Sequence, residues 1–152
     1  EVRMTHDRDF LYVAVRCGHP EGESTPQAPQ RTRDADLRHN DRVSIMLDLD
    51  RDYSTCFHLQ VDASGCVAED CWGDKTWNPK YFVAFNPEPT GWTAEVAIPL
   101  VELTGAPPSH GCAWAVNVSR VLPGKGVQAW SAPADADPRP EGMGLLQFRA
   151  DK

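Results

Sequence analysis

The sequence predicts an all-β fold, an antiparallel β-sandwich of two sheets. Apolar and polar residues alternate in many short segments, which is the period of half-buried strands. Turn-forming residues separate these segments, and the chain contains 13 prolines and 11 glycines. No segment longer than one turn has the period of an amphipathic helix. The length of 152 residues is enough for a single domain with its own core.

The stretch from residue 41 to residue 74 predicts three consecutive strands joined by two turns. When the first turn centres near Arg51 and Asp52, Met46 lies opposite His58. Ser44 then lies near Gln60. One face of the sheet belongs to the core, and the other face carries mostly polar side chains. The residues predicted on this second face are Ser44, Met46, Asp48, His58, Gln60 and Asp62.

A row of hydrogen-bonding side chains with little net charge is typical of a face that binds a polar, neutral ligand. A solvated face is the default in an antiparallel sheet, and it is the alternative interpretation.

The other elements follow the same alternation along the chain. Residues 10–17 predict a strand that forms a hairpin with residues 2–5, because residues 6–9 are turn formers. Residues 18–40 are polar and proline-rich, as in a functional or disordered loop. Further strands are predicted at 81–86, 92–98, 114–119, 127–131 and 145–149, with one helical turn at 100–103.

The charge of the chain limits its partners. The formal net charge is -7 and the isoelectric point is near 5.1. This argues against a nucleic-acid partner, because phosphate binding needs clustered lysine and arginine. No apolar run approaches the roughly 20 residues that span a bilayer, so no membrane span is predicted. The opening residues already resemble a strand, and we expect the chain to be one module of a larger protein with other domains.

The five cysteines are an odd number and lack the spacing of a zinc site. A hairpin closed by residues 62–65 brings Cys56 near Cys71, so a cross-strand disulfide between them is one prediction. Reduced, buried thiols are the equal alternative. The redox compartment is therefore left open by the sequence.

Four motifs occur in a familiar order: FLYVAV at 10–15, DRVSIMLD at 41–48, GWTAEVAIP at 91–99, and Trp130-Ser131 followed by GLLQF at 144–148. Together they resemble the family 9 carbohydrate-binding modules and the wider DOMON-like β-sandwich superfamily. The resemblance covers nearly the whole chain and lacks the family's first strand, which would lie upstream of Glu1. It implies a jelly-roll-like, non-catalytic sandwich, often appended to secreted bacterial enzymes and sometimes holding calcium.

The resemblance also implies a sugar site. The family reads sugar hydroxyls with polar side chains, and the matching positions hold Gln60, Asp62 and Asn117. Sugar-binding members also clamp the ring between two tryptophans. Arg38 takes the place of the first, and residues 134–139 contain no aromatic residue for the second.

Other tryptophans must replace the clamp if sugar binds. Trp92 and Trp114 are in phase with apolar neighbours and are predicted core residues. The remaining tryptophans, Trp72, Trp77 and Trp130, are the predicted stacking platforms. Trp77 is preferred among them, because the asparagine and proline that follow it stiffen its loop.

Two cofactors need consideration. Relatives in the superfamily include haem-binding domains, for which the candidate axial ligands are Met46, His58 and Met143. Calcium is the other candidate, at the D-x-D-x-D run. This run lacks the glycine and the twelfth-position glutamate of an EF-hand loop, so an acidic hairpin turn is preferred. The carboxylates concerned are Asp48, Asp50 and Asp52.

The sequence lacks catalytic motifs such as a nucleophile elbow, a phosphate loop or H-E-x-x-H. Glu69 and Asp70 are adjacent on a strand and therefore point to opposite faces, a poor arrangement for acid–base chemistry. We expect a non-catalytic carbohydrate-binding accessory module of an extracellular or periplasmic protein. A sandwich that serves structure or protein interaction without sugar is the first alternative, and a haem-binding electron-transfer domain is the second.

Overall fold

The computed structural model describes residues 1–22, 24, 30–135 and 139–149, which form ten strands and two single-turn 3₁₀ helices. The strands are β1 (Val2–His6), β2 (Phe10–Gly18), β3 (Arg42–Asp48), β4 (Cys56–Asp62), β5 (Val67–Cys71), β6 (Phe82–Glu88), β7 (Gly91–Pro99), β8 (Ala113–Leu122), β9 (Gly126–Ala129) and β10 (Gly144–Gln147). The 3₁₀ helices are Leu100–Glu102 and Pro140–Gly142. In this part of the chain, no helix is long and apolar enough to cross a membrane.

The strands form two antiparallel sheets. The first has the order β1-β2-β7-β6, and the second has the order β10-β8-β3-β4-β5. Strand β9 pairs with β8 on the edge that β10 occupies farther along, because β3 takes the other edge of β8. The predicted all-β sandwich is confirmed, and so is the hairpin of β1 and β2.

The core lies between the two sheets, where alternate residues of the central strands meet. Trp92 and Trp114, both predicted core residues, are 0% and 2% exposed. Burying an aliphatic side chain of the core contributes about 1.5–3 kcal/mol relative to leaving it in water. Other core residues are Leu11, Val13, Val15, Val43, Ile45, Leu47, Leu59, Val61, Ala94, Val96, Ile98, Val116 and Val118.

A buried ion pair joins the two sheets at one end of this core. Arg120 in β8 donates from Nε and Nη2 to the two carboxylate oxygens of Asp41, at 2.8 and 2.7 Å. Its Nη1 donates to the carbonyl of Gly18 at 2.8 Å. The indole N–H of Trp92 donates to Asp41 at 3.2 Å. The ion pair therefore links the second sheet to the first, with Arg120 reaching strand β2 and Asp41 reaching strand β7.

The register of the second sheet separates polar from apolar side chains. Ser44 pairs with Gln60 and Met46 pairs with His58, as the sequence predicts. On the other side of β3, Met46 pairs with Asn117 of β8. Because successive side chains of a strand point to opposite faces, these residues lie on the face turned away from the core.

Gly91 offers a test of the strand packing. It pairs with Gly18 at the start of β7, and a Cβ at Gly91 would lie 2.1 Å from the carbonyl oxygen of Cys17. We expect Gly91→Ala to lower the free energy of unfolding by about 2 kcal/mol or more, because backbone must move to relieve the overlap.

The matched control is Gly105→Ala, since nothing lies within 4 Å of a Cβ at that position. Its free energy of unfolding should change by no more than about 0.5 kcal/mol. Urea denaturation measures both variants. Equal stabilities would contradict the close approach of backbone at Gly91.

Candidate functional site

The polar face is the outer surface of the second sheet. Ser44 and Asn117 form part of its floor and are 0% and 1% exposed. Both lie on the predicted face, but neighbouring side chains cover them. The predicted row of accessible hydrogen-bonding side chains therefore includes only the partly exposed residues of this face, such as His58 and Gln60. The polar face comprises Arg42, Ser44, Met46, His58, Gln60, Asp70, Asn117 and Ser119.

Hydrogen bonds connect the middle of the polar face. The amide of Gln60 donates to the Ser44 hydroxyl oxygen at 3.1 Å. That hydroxyl lies 3.2 Å from Nε2 of His58, and Nδ1 of His58 lies 3.1 Å from Asp70. A consistent pattern has the hydroxyl donating to Nε2 and the Nδ1–H donating to Asp70. The His58 ring is therefore held on both sides.

The charge of Asp70 is favoured by its contacts. The hydrogen bond with His58 holds the pKa of Asp70 below its usual value, against the opposing effect of burial. The backbone amide of Gly73 also donates to this carboxylate, at 2.7 Å.

Ser44, His58 and Asp70 have the connectivity of a Ser-His-Asp triad, but the chemistry does not follow. A nucleophile needs an oxygen that substrate can approach. Ser44 has no exposed surface, and its oxygen already accepts a hydrogen bond from Gln60. The three residues position an imidazole ring and do not present a nucleophile.

A cleft of about 620 Å³ lies over one part of the polar face. Arg42, His58 and Gln60 are on its floor, and Lys75 and residues 34–38 stand at its sides. Arg38, the residue at the family's first clamp position, lies here. Its guanidinium makes two hydrogen bonds to Asp36, at 2.8 and 2.9 Å.

The wall of the cleft is anchored to β5. The carbonyl of Thr32 accepts from the amide of Val67 at 2.9 Å, and the amide of Ala35 donates to the Val67 carbonyl at 3.2 Å. Between them, Arg33 bonds to the buried carboxylate of Glu69.

The same carboxylate accepts the hydroxyl of Tyr81 at 2.8 Å. Burial, and then this hydrogen bond, raise the pKa of Tyr81, so it remains a donor at neutral pH. The wall of the cleft is thus held in place by contacts within the chain itself.

Several buried polar atoms within the described residues have no hydrogen-bond partner. They are Nε of Arg42, Nδ2 of Asn117, and the hydroxyls of Ser119 and Ser131. The first three belong to the polar face, and the amide of Ser131 donates to Asn117 at 3.4 Å. Buried polar groups are usually satisfied. Their concentration on one face is what a polar ligand site would show.

Two of the predicted aromatic platforms lie near the ends of the polar face. Trp130 follows β9 and is 52% exposed, next to the Ser131 that contacts Asn117. Trp72 directly follows β5 and is 60% exposed. Either ring is accessible for stacking on a sugar.

Trp77, the preferred platform, is placed elsewhere. Its ring centroid lies 4.9 Å from that of Phe57, on the core side of β4, and it packs against the hydrophobic core. It holds its loop to the sandwich, and the structure does not bring it together with the polar face. The second clamp position is assigned to residues 134–139, which contain no aromatic residue. Residues 136–138 of this run lie outside the described residues.

Asp62, predicted to read sugar hydroxyls, closes the turn after β4. Its carboxylate accepts from the amides of Ser64 and Cys66, each at 2.9 Å, and from Nδ2 of Asn40 at 2.7 Å. These bonds account for the burial of Asp62 without a ligand.

The predicted disulfide between Cys56 and Cys71 is wrong, because all five thiols are free. Cys71 pairs with Phe57, one residue beyond Cys56. Successive side chains alternate, so the two sulfur atoms belong to opposite faces of the sheet. Burial raises the pKa of the Cys56 thiol to about 12, which keeps it protonated at neutral pH.

The haem ligands do not assemble. Met46 and His58 lie opposite each other on adjacent strands of one face, so they cannot approach iron from opposite sides of a haem ring. Both ring nitrogens of His58 are already hydrogen-bonded to Asp70 and Ser44. Met143 lines a separate cleft beside the turn after β3. These residues do not fit a haem site.

The acidic run from Asp48 to Asp52 forms a hairpin turn, in which carboxylates accept hydrogen bonds from backbone amides. Asp48, Asp50 and Asp52 bring oxygens within 4.8 Å of one another. Asp48 accepts from the amides of Arg51 and Tyr53 at 2.7 and 3.2 Å, and Asp52 accepts two further amides of the turn. These oxygens fit an acidic turn better than a calcium shell.

Calcium at this turn stays a prediction that can be tested directly. Binding there should raise the melting temperature on addition of CaCl₂ and disappear in Asp50→Asn, whose carboxylate is exposed. MgCl₂ is the control salt. An unchanged melting temperature in millimolar CaCl₂ would remove the calcium hypothesis, because a ligand of the folded state must stabilise it.

Most residues that line the cleft are absent from the sequence-based site, among them Arg42, Asp70 and Lys75. Arg42 has the same phase in β3 as Ser44, so the alternation already contained its signal. Asp70 faces His58 in the register of β4 and β5. Lys75 lies in a turn whose path no local pattern predicts.

The fold is that of the family 9 carbohydrate-binding modules. One such module from Caldicellulosiruptor kristjanssonii, in complex with cellotriose, has a TM-score of 0.71 at 16% identity, covering 99% of this chain and 75% of that one. A complex with glucose from the same organism gives 0.68 at 16% identity, with coverages of 99% and 76%. A candidate carbohydrate-binding protein from Bacteroides uniformis gives 0.65 at 13% identity, with coverages of 97% and 77%.

No family model matches the chain, and no curated protein matches it. The resemblance predicted from the four sequence motifs is confirmed at the level of the fold.

The lowered pKa of Asp70 predicts acid-dependent stability. The folded chain binds this proton less readily than the unfolded chain, so the contribution is present above about pH 4 and is lost as the pH falls through the lowered pKa. We expect Asp70→Asn to be less stable than the wild type at pH 7 by about 1 kcal/mol, allowing for partial exposure. It should also lose less stability between about pH 5 and pH 2.

Urea denaturation at a series of pH values measures this difference. Asp9→Asn is the matched control, because it removes an equal charge from an exposed turn of the first sheet. Parallel pH profiles for the wild type and Asp70→Asn would contradict the assigned role of the His58 contact.

Proposed function

We propose that this chain is a non-catalytic carbohydrate-binding module whose ligand lies in the cleft over the polar face. The observation that carries the proposal is the concentration of buried hydrogen-bonding groups without partners on this one face. One of them belongs to Arg42, which lines the cleft of about 620 Å³, and another belongs to Ser119, which lines a second cleft on the same sheet. A ligand rich in hydroxyl groups can both donate to and accept from such groups, and a site with fixed polar atoms loses little entropy when it binds.

The individual contacts follow from the geometry. Gln60 presents its side-chain amide to the cleft, and Ser44 holds this amide in place. The ring of His58, whose two nitrogens are bonded to Ser44 and Asp70, forms the surface beside it. Exposed tryptophan rings next to such groups suit the C–H faces of a sugar. Trp130 is the preferred platform, because it adjoins the Ser131–Asn117 contact. It lines the second cleft together with Ser119, so a sugar stacked on it would extend beyond the cleft that Gln60 lines.

The comparisons support this function without extending to the ligand. Modules with the same fold occur in complex with cellotriose and with glucose. We take the role to be that of an accessory module in an extracellular or periplasmic protein with other domains, as the resemblance implies. The partner is a carbohydrate and not nucleic acid, which the net charge of -7 disfavours.

Calorimetric titration with cellotriose tests the site. Gln60→Ala should weaken binding by about threefold to tenfold, the effect of losing one neutral hydrogen bond. Trp130→Ala should weaken it by roughly tenfold or more if the ring stacks on the ligand, by analogy with the stacking of bases on aromatic side chains.

Thr93→Ala, on the outer face of the first sheet, is the control and should bind as the wild type does. Circular dichroism checks that each variant is folded. Wild-type affinity in both Gln60→Ala and Trp130→Ala would place the ligand elsewhere, and a glycan array without any hit would overturn the proposed function.

A further inference from the structure

We propose that the cleft selects saccharides carrying an acidic group, a uronate carboxylate or a sulfate ester, and that Arg42 receives this group. The inference rests on the proposed function and narrows its ligand class. A buried cation without a counter-ion, on the floor of the cleft, is the observation behind it.

Arg42 is more than nine-tenths buried, at 7% exposure, and lines the cleft. Its Nη1 donates to the carbonyl of Arg38 at 3.1 Å, whereas its Nε has no partner. Within the described residues it makes no ion pair. Its cross-strand neighbour Asp62 uses its carboxylate to close the next turn. Burying a charge is costly unless an opposite charge compensates it, so the site favours an incoming anion.

The acidic residues around the cleft are mostly engaged by other groups. Asp36 is paired with Arg38, and Asp70 is bonded to His58. Glu69 is fully buried and held by residues of the wall. None of these carboxylates is directed to Arg42 as an ion-pair partner.

A second cation, Lys75, lies in the same cleft as Arg42. It makes no hydrogen bond or ion pair with the described residues. Asp34 is the one acidic lining residue that likewise makes neither. The charged residues that line the cleft are the cations Arg38, Arg42 and Lys75 and the carboxylates Asp34, Asp36, Glu69 and Asp70, so the cleft as a whole has no excess of positive charge. The attraction for an anion is therefore local, at the buried guanidinium of Arg42.

Arg38, in the wall of the cleft, places a charged group where sugar-binding members of the family have an aromatic ring. Where the family resemblance places a stacking tryptophan, this chain has a guanidinium held by Asp36. An arginine forms charge-assisted, directional hydrogen bonds with carboxylate or sulfate oxygens, which a tryptophan cannot. A neutral sugar would leave Arg42 without a counter-ion, so the anion supplies selectivity as well as affinity.

The test compares three trisaccharides by calorimetry: cellotriose, a β-1,4-linked glucuronate trisaccharide, and 6-O-sulfated cellotriose. They differ only at C6, so the neutral arm reports the sugar frame and the two acidic arms separate carboxylate from sulfate. We expect at least one acidic ligand to bind about tenfold more tightly than cellotriose, the effect of one charge-assisted hydrogen bond. Raising the NaCl concentration should weaken only the acidic ligand.

Arg42→Gln should abolish this preference, and Arg42→Lys should retain part of it. Arg8→Gln, in the turn between β1 and β2, is the matched control and should preserve the preference. If Arg42→Gln does not fold, Lys75→Gln remains available as a surface variant and should reduce the preference by about threefold through weaker attraction.

The outcomes separate the two proposals. If cellotriose and both acidic trisaccharides bind equally tightly, and Arg42→Gln leaves their affinities unchanged, the proposed selectivity for acidic sugars is overturned. The proposed carbohydrate-binding function would remain. Binding of inorganic sulfate with no trisaccharide bound overturns both proposals, because the anion site then serves something other than sugar. Preferential binding of an acidic trisaccharide that Arg42→Gln removes supports both.

Discussion

Strand β3 carries apolar side chains on one face and polar side chains on the other, and its pairing with β4 and β8 keeps the two sets apart. Ile45 and Leu47 lie between the sheets, while Ser44 lies beneath the cleft. A slip of one residue would bring Ser44 into the apolar core and expose Ile45 to solvent. Both the stability of the sandwich and the composition of its polar face therefore depend on one register.

The polar face is rigid because its members bind one another. His58 is held between Ser44 and Asp70, and a loop anchored on β5 forms the adjoining wall. Fixed donors and acceptors bind a matching ligand with little loss of conformational freedom. The same rigidity explains why a triad-like arrangement need not imply catalysis: its function is to orient a ring, and the serine remains covered.

Local alternation predicted the fold and the composition of the polar face. The pairs Ser44–Gln60 and Met46–His58 follow from two regular strands and a turn between them. The next hairpin was harder to predict, because its turn includes Gly65 at a φ of 82° and pairs Cys71 with Phe57. Strand β5 is short and contains Glu69 and Asp70, so its apolar pattern specifies its register only weakly. A displacement of one residue there decides whether the two sulfur atoms share a face.

The placement of loop residues could not be predicted for a different reason. Trp77 lies in a polar stretch, and only its contact with Phe57 shows that it belongs to the core side. Arg42 carried a clear phase, but its lack of a counter-ion depends on residues distant in sequence. Local periodicity predicts which face a strand residue occupies, whereas the charge balance of a cleft is set by long-range contacts.

The loop that walls the cleft also protects an exposed strand. Strand β5 ends the second sheet, and such an edge offers unpaired amides and carbonyls to other chains. Here Val67 gives both backbone groups to Thr32 and Ala35, and Cys71 exchanges both of its own with Asp74. Both ends of the edge are therefore capped within the chain. Residues that frame the cleft thus also protect the chain against edge-to-edge aggregation, so we expect substitutions in this wall to lower solubility.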